Sequence, residues 1–351
     1  MHTDHWPADA VAAVTHDDPY PYYAALAAQR APRHDERLRL WIVAHPATVR
    51  DVLAHPDCRV RPVHEPVPVA LAGPAGHLFG ALVRMNDGER HAAPKAALQQ
   101  ALAALPPARV SERAASVAAR LAAAVRDAAT LNAFASGVPM QSVASLLGFA
   151  DEALPQVAAL VARYVACLSP LASPGEIAQA HEAADALRDA LRGLVRQAPE
   201  RGLLADVVAA AWPDEHTLLA NLAGLMTQTF EATAGLLGNC IVARLLGDGS
   251  APVGLVARVM EHDPAIHNTR RFTAAEIEVG GTRVPAGQVL LLVLAGTAGF
   301  GHGRHACPGQ AMAQCIVTEA LAALGPLPGV GWRYRPSVNA RLPIFMKESE
   351  E

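Results

Sequence analysis

The stretch that decides the fold of this chain runs from Phe300 to Gly309 and reads FGHGRHACPG. Its single cysteine, Cys307, stands immediately before a Pro-Gly pair and a helical pattern that begins near Gln310. Backbone N–H groups at the start of a helix stabilise a thiolate, and glycines permit tight turns and the close approach of a flat group. The stretch therefore predicts a loop that presents a thiolate.

From these residues alone, Cys307 has several possible roles. A thiolate held in this way is a good axial ligand for haem iron. A zinc site with His302 and His305 would need further ligands, and no second ligand pair is visible. A catalytic cysteine paired with His305 would lack its usual neighbourhood, and a buried structural cysteine is the default for a lone one.

Composition limits the remaining possibilities. The chain has 351 residues, of which 52% are hydrophobic, and its net charge of −4 gives no electrostatic case for nucleic acid or an anionic membrane. The N-terminal sequence lacks the pattern of a signal peptide, and no long uncharged apolar run predicts a membrane span. The cysteines are odd in number and scattered, which predicts a reducing cytoplasm rather than a disulfide framework. They are Cys58, Cys167, Cys240, Cys307 and Cys315.

Hydrophobic periodicity predicts helices over most of the chain. A first helix is expected after Asp18-Pro19, and the segment from about Val110 to Arg244 is almost wholly helical in pattern, with one helix opening behind Ser111. The longest pattern, from about Asp214 to Leu246, is apolar on nearly all sides and predicts a helix buried through the middle of the fold. The stretch 61–80 is rich in Pro and Gly and predicts a long loop.

Strand character is confined to short segments. LRLWIVAHP, TRVPAG and the region from Arg271 to Leu294 carry β-branched or aromatic residues bounded by Pro and Gly. No linker, repeat or low-complexity block divides the chain. We therefore predict one domain over residues 1–351, mainly α with a small β region.

The whole cysteine string resembles the haem-thiolate signature of the cytochrome P450 family, Phe-x-x-Gly-x-His/Arg-x-Cys-x-Gly. Each fixed place of that signature is matched, and the resemblance to soluble bacterial members extends over nearly all of the chain. It implies a P450-like helical fold and a heme b whose iron is ligated by Cys307. The matching residues are Phe300, Gly303, His305, Cys307 and Gly309.

Further matches imply cations for the haem propionates. MNDGERHAAPK resembles the family's His-x-x-x-Arg segment, with His91 and Lys95 at the two places. Lysine keeps the charge of arginine but loses its bidentate fork. RRFTAAEIEVGGTRVPAG resembles the strand region that supplies another propionate-binding arginine, here Arg271, and His305 completes the set.

The central helix resembles the family's oxygen-activating helix, but with an altered motif. FEATAGLLGN keeps the acid as Glu231, whereas Ala232 stands where the family has its proton-relay threonine. A buried Glu in a helix needs a partner or a function, so Glu231 is a catalytic candidate. Thr229 and Thr233 are the candidate hydroxyl donors that remain nearby.

The proximal side also departs from the family. The places of its Glu-x-x-Arg pair are held by Arg258 and Glu261, so the charges are swapped, and we expect the two residues still to pair at i, i+3. Only residues 288 to 299 separate Gly287 from Phe300, where the family has a longer stretch. The proximal face is where members dock electron donors, so the redox partner is left open.

The resemblance implies a haem-thiolate oxidoreductase, a monooxygenase or peroxygenase, acting on a small molecule in the biosynthesis of specialised metabolites. The altered motifs keep two alternatives open: a redox-neutral haem enzyme such as a dehydratase, isomerase or bond-forming catalyst, and a non-catalytic P450-like partner protein. His267 and Asn268 match a family stretch that lines the substrate side of the haem, which predicts a polar substrate.

Overall fold

The computed structural model describes residues 6–347 of the chain. Within that range it contains twelve α-helices and nine β-strands, so the prediction of a mainly helical fold with a small β region is confirmed. The helices are α1 (Tyr20–Ala27), α2 (Pro46–Ala54), α3 (Pro74–Ala81), α4 (Glu89–Ala104), α5 (Pro107–Ala122), α6 (Ala128–Leu147), α7 (Leu154–Ala166), α8 (Pro174–Arg196), α9 (Leu203–Ala209), α10 (Glu215–Leu245), α11 (Pro252–His262) and α12 (Gln310–Ala323).

The strands form one five-stranded sheet, ordered β1-β2-β7-β4-β3, and two hairpins, β5-β6 and β8-β9. Strand β7 runs parallel to β2 and antiparallel to β4, and Arg271 of β4 lies opposite Leu290 of β7. The strands are β1 (Arg33–Asp35), β2 (Leu40–Val43), β3 (Cys58–Arg59), β4 (Asn268–Thr273), β5 (Ile277–Val279), β6 (Thr282–Val284), β7 (Val289–Val293), β8 (Val330–Tyr334) and β9 (Pro343–Lys347).

Helix α10 is the central element of the helical part. The side chain of Asp214 caps it by accepting a hydrogen bond from the Thr217 N–H at 2.6 Å, and the helix continues without a break to Leu245. Most of its side chains are buried, and it packs against α6, α7, α8, α11 and α12. This is the buried helix that its all-round apolar sequence predicts.

Two local predictions were wrong. The stretch 61–80 is not all loop, because it contains a 3-10 turn at Val69–Leu71 and most of helix α3. The Pro and Gly residues of that stretch serve the helix: Pro74 stands in its first turn, and a Cβ on Gly76 would lie only 2.1 Å from the Leu71 carbonyl oxygen.

Helix α5 starts earlier than predicted. It begins at Pro107 rather than behind Ser111, and it stops at Ala122. The Ser111 hydroxyl does not cap the helix but donates to the Glu319 carboxylate at 2.6 Å, which ties α5 to α12. The next helix, α6, has its own start signal, a capping box made by Asp127 and Thr130.

The sheet positions the cysteine stretch. Residues 294–299 link the end of β7 to Phe300, and α12 begins at Gln310. The cysteine loop is thus fixed at both ends, by the strand that pairs with Arg271's strand and by a helix that packs on α10.

Candidate functional site

The loop that carries Cys307 is closed by its own backbone. The Cys307 N–H donates to the Phe300 carbonyl at 2.8 Å, and the Gly301 N–H donates to the Ala298 carbonyl at 2.8 Å. Gly301 and Gly303 have φ values of +74° and +64°, which only glycine adopts without strain. These bonds and angles turn the chain back on itself and place Cys307 next to Phe300, where the loop closes.

The thiol of Cys307 is accessible even though protein surrounds it. The side chain is exposed, yet burial raises the pKa of its thiol, while the Gly309 N–H and the Lys95 ammonium act to lower it. Both observations hold for a side chain that lines an internal space rather than the outer surface. The thiol therefore faces a recess that a ligand could fill.

Helix α4 brings the two predicted cations of its segment to this recess. His91 and Lys95 are buried one turn apart, and the Lys95 ammonium donates to the Ala306 carbonyl, next to the cysteine. The His91 ring lies 4.1 Å from the His305 ring, centroid to centroid. Burial and the neighbouring His305 and Lys95 charges lower the pKa of His91 to about 4.

Arg271 joins the same cluster from strand β4. It is 5% exposed, and its Nη1 donates to the Arg270 carbonyl at 2.8 Å and to the Thr269 hydroxyl at 3.3 Å. Burial lowers the pKa of Arg271 to about 10, with the nearby Asp87 carboxylate acting in the opposite direction. Its guanidinium is thus a desolvated cation close to the cysteine loop.

Asp87 is a member of the cluster that the sequence did not reveal. Its carboxylate accepts hydrogen bonds from His305 Nε2 at 3.0 Å and from the Val60 N–H at 2.9 Å, and it lies 3.5 Å from Arg304 Nε. Burial acts to raise the pKa of Asp87, but the His305 and Val60 hydrogen bonds outweigh it and lower the pKa to about 2. An acid four residues before His91 among so many basic residues was the available signal.

The residues present fit a haem group. A thiol faces the recess, and beside it stand the Lys95 and Arg271 cations, the His91 and His305 imidazoles and the Asp87 carboxylate. The Nε2 atom of His91 and the Nε atom of Arg271 are buried without a hydrogen-bond partner in residues 6–347. Buried donors of this kind call for acceptors, and the two propionates of haem would supply them.

The open face of α10 carries different residues from the buried one. Gln228, Glu231 and Ala232 are half-buried and lie at i, i+3 and i+4, so they share the face that borders open space. Thr229 and Thr233 are buried on a neighbouring face, and the Thr229 hydroxyl donates to the Leu225 carbonyl at 2.7 Å. The Thr229 hydroxyl is thus held by its own helix, and its role as a hydroxyl donor near the reaction centre stays a prediction.

Glu231 has a partner that is distant in the sequence. Its carboxylate accepts a hydrogen bond from the guanidinium of Arg335, which follows strand β8. Both side chains keep more than a third of their surface exposed. A charged pair thus stands on the open face of α10, beside the position occupied by Ala232.

Two more polar groups lie near this face without partners. Arg84, in the 3-10 turn Val83–Met85, has a buried Nε without a hydrogen-bond partner, and so does the hydroxyl of the fully buried Tyr164 on α7, within the part of the chain that the structure describes. Neither residue was singled out from the sequence. A lone Arg in a loop and a lone Tyr in an amphipathic helix carry no signal of their own.

The predicted substrate-binding residues His267 and Asn268 are bonded to neighbouring segments of the chain. Both are buried, and the His267 ring packs against the Tyr23 ring and shares a hydrogen bond of 3.0 Å with its hydroxyl. The Asn268 side-chain amide donates to the Val338 carbonyl at 2.9 Å. These bonds join the two residues to other segments, whereas the Nε2 atom of His267 is buried without a hydrogen-bond partner in residues 6–347, and their assignment to substrate binding stays a prediction.

The swapped ion pair is also corrected. Arg258 contacts the Asp248 carboxylate and the Ser250 hydroxyl, both in the loop before α11. Glu261 instead lies 3.8 Å from its neighbour His262. The two residues are at i, i+3 on one helix, but the nearby Asp248 competes successfully for the arginine.

Two searches of residues 6–347 gave negative results. No group of three or more His, Cys, Asp or Glu side chains is arranged to hold a metal ion, which includes the set His302, His305 and Cys307. No helix in that range has the length and apolar character needed to cross a membrane.

Comparison with known proteins places this architecture. No family model matches the chain. Cytochrome P450 107B1 of Saccharopolyspora erythraea is 27% identical over 145 residues, which represent 32% of this chain and only 35% of that protein's length. The sequence match to this relative is thus partial.

Solved structures match over almost the full length. CalO2 superposes with a TM-score of 0.80 at 19% identity, covering 95% of this chain and 97% of CalO2. P450BioI, solved in complex with an acyl carrier protein ligated to hexadec-9Z-enoic acid, gives 0.78 at 16% identity over 93% and 97% of the two chains. P450 RauA, solved with a biosynthetic intermediate of aurachin RE, gives 0.77 at 18% identity over 94% and 95%. At such identities the likeness establishes the architecture, and the architecture of this chain is the cytochrome P450 fold.

Proposed function

We propose that this protein is a haem-thiolate oxidoreductase of the cytochrome P450 type, with a small molecule of specialised metabolism as its substrate. The observation that carries the proposal is the meeting of an accessible Cys307 with buried cations from α4, β4 and the cysteine loop itself. These elements are far apart in the sequence, and a dicarboxylate cofactor with an iron ligand site accounts for all of them together.

The chain's residues divide the work of holding the group. Cys307 would ligate the iron, and the Gly309 N–H and the Lys95 ammonium would stabilise its thiolate, since both favour the charged form. The Lys95 and Arg271 cations and the His91 and His305 imidazoles would bind the propionates. Gly301 and Gly303 allow the turns of the cysteine loop and place no side chain there.

When bound, a thiolate-ligated haem supplies electron density that favours cleavage of an O–O bond. Proton handling falls to the chain. Glu231 is the acid on the open face of α10, and Arg335 holds its carboxylate in one place. Ala232 beside it offers no hydroxyl, so a proton would pass by way of water or a polar group of the substrate.

The specialised-metabolism part of the proposal rests on the neighbours. P450 RauA was solved with a biosynthetic intermediate, and P450BioI with an acyl chain attached to a carrier protein. This chain shares their fold at low identity, so we propose the class of reaction without naming a substrate.

The test is the absorption spectrum of the purified holoprotein, alone and then reduced under carbon monoxide. The proposal expects the strongly red-shifted Soret band that marks thiolate-ligated haem. A protein with intact Cys307 that binds no haem after expression with a haem precursor would overturn the proposal.

A second candidate is a redox-neutral haem enzyme, such as a dehydratase, an isomerase or a bond-forming catalyst. It is favoured by one observation: the open face of α10 carries Ala232, while the Thr229 hydroxyl is bonded to the Leu225 carbonyl. Turnover of a substrate without peroxide and without a reductase system would support this candidate, and strict dependence on either would exclude it.

A further inference from the structure

Arg84 and Tyr164 take no part in the chemistry described so far, yet the fold holds both in defined positions. The backbone that carries Arg84 is fastened to α10, since the Asn221 side chain accepts from the Val83 N–H at 2.8 Å and donates to the Ala81 carbonyl at 3.0 Å. The Asn86 side chain holds the same turn from within. The guanidinium of Arg84 therefore projects from a rigid support.

The position of this guanidinium is unusual for an arginine. Its Nε is buried without a hydrogen-bond partner, and no carboxylate in residues 6–347 lies within 4.0 Å of its charged atoms. Burial lowers the pKa of Arg84, whereas Tyr164 and Glu231 act to raise it. A buried cation without an anion is costly, which implies that an anion joins it in the working protein.

The chain itself does not supply that anion. Glu231 is the neighbouring carboxylate, and it is engaged by Arg335. Two arginines and one glutamate leave this side of the recess with an excess positive charge. The Tyr164 hydroxyl, buried without a partner close to Arg84, is a further donor.

We propose that Arg84 binds a carboxylate of the substrate and that Tyr164 is a positioning residue behind it. The guanidinium offers the planar fork that recognises a carboxylate with two hydrogen bonds. Arg84 is half-buried and Tyr164 is fully buried, so a ligand meets the arginine first. The inference rests on the proposed function for one point only, the closeness of this site to the reacting centre.

A carboxylate could also come from the cofactor, as a propionate. The cations that suit the propionates, namely His91, Lys95, Arg271 and His305, form a separate cluster around Asp87. Within residues 6–347, none of them shares a hydrogen bond or an ion-pair partner with Arg84. We therefore assign Arg84 to the substrate, and the experiment separates the two sources.

The experiment measures by isothermal titration how the holoprotein binds two probes, 4-phenylbutyrate and 4-phenylbutanol. They share an apolar body and differ in the carboxylate. Because hydrogen bonds between charged groups are stronger than those between neutral groups, we expect the acid to bind at least about tenfold more tightly than the alcohol. In Arg84→Gln the ratio of the two dissociation constants should fall to about one, with the alcohol unaffected.

Variants control for structure and charge. Arg84→Lys should restore part of the preference for the acid, since it keeps the charge and loses the fork. Tyr164→Phe should weaken the acid a few-fold and leave the alcohol alone. Arg90→Gln removes an exposed arginine nearby, bonded to the Gly80 carbonyl, and should change nothing.

Each remaining outcome decides the matter. No preference for the acid in the wild type, or a preference that survives in Arg84→Gln, overturns the inference. Loss of haem from Arg84→Gln with an unchanged acid-to-alcohol ratio assigns the arginine to a propionate and also overturns it. Calorimetry does not require haem, so an acid preference in a protein that lacks the thiolate spectrum would sink the proposed function while sustaining this inference.

Discussion

The two sides of the recess differ in how they are built. The cysteine side is assembled from residues whose types follow the P450 pattern, with a closed loop at Cys307 and buried cations around it. The α10 side keeps Glu231 and Thr233 of that pattern but has Ala232 in place of the relay threonine. Under the proposed function, the cysteine side would hold the cofactor and the α10 side would serve the reaction.

The charged groups on the two sides differ as well. The cysteine side combines cations with one carboxylate, Asp87, that is already satisfied by His305 and Val60. The α10 side has Arg84 without an anion and a Glu231–Arg335 pair that remains accessible. The arrangement on the cysteine side fits a permanently bound dicarboxylate. The arrangement on the α10 side leaves the Arg84 charge for a ligand that binds and dissociates.

The largest effect is expected from removing the Cys307 thiol. In Cys307→Ala the red-shifted carbonyl band should disappear and all haem-dependent turnover with it, because alanine offers no ligand. Spectra of the reduced protein under carbon monoxide check this result. Cys315→Ala, which removes a half-buried cysteine on α12, is the matched control and should keep the band. A retained band in Cys307→Ala would place the ligand elsewhere.

A graded loss is expected at Lys95. Replacing it with Met removes a buried cation that also donates to the Ala306 carbonyl. Since hydrogen bonds to charged groups contribute about 1.5–3 kcal/mol, the haem dissociation constant should rise about tenfold to a hundredfold. Transfer of haem to an acceptor globin measures it. Lys95→Arg should retain haem at least as well as the wild type, and equal loss in both variants would mean that packing rather than charge matters.

The cysteine side was largely predictable from the sequence because its signals are local. FGHGRHACPG contains the ligand and its loop, and His91 and Lys95 lie one helical turn apart. What joins them does not show in any single segment. Asp87 meets His305 across 218 positions of sequence, and only the fold reveals that contact.

The α10 side was predicted less well for the same reason. The sequence indicated Glu231, but Arg335 reaches it from 104 residues away, and Arg84 and Tyr164 gain their meaning only from burial without a partner. A pattern of residue types also does not show that the Thr229 hydroxyl bonds to the carbonyl four residues earlier. Nor does it show that His267 and Asn268 are hydrogen-bonded to Tyr23 and to the Val338 carbonyl.

Restoring the hydroxyl on α10 should make the α10 side follow the P450 pattern as the cysteine side does. Ala232→Thr places a hydroxyl on the accessible face next to Glu231. General acid catalysis contributes about 10²–10⁴-fold, so product formed per reducing equivalent should rise at least about tenfold if the protein activates oxygen poorly for want of this group. Peroxide-driven turnover serves as the internal control and should change little. An unchanged oxygen-driven yield would favour the redox-neutral candidate.

The smallest effect is expected at the edge of the cysteine side, where Arg258 and Glu261 occupy the places of the family's ion pair. Arg258 contacts Asp248 instead, and Glu261 is mostly exposed. Arg258→Ala should lower the free energy of unfolding by no more than about 1 kcal/mol, as for other surface pairs. Glu261→Ala should leave both unfolding and haem content unchanged, as denaturant titration and the haem spectrum would show. Loss of haem in Glu261→Ala would mean that haem binding depends on this acid through a contact other than the Arg258–Asp248 pair. The proximal face would then be a third region that matters, besides the cysteine side and the α10 side.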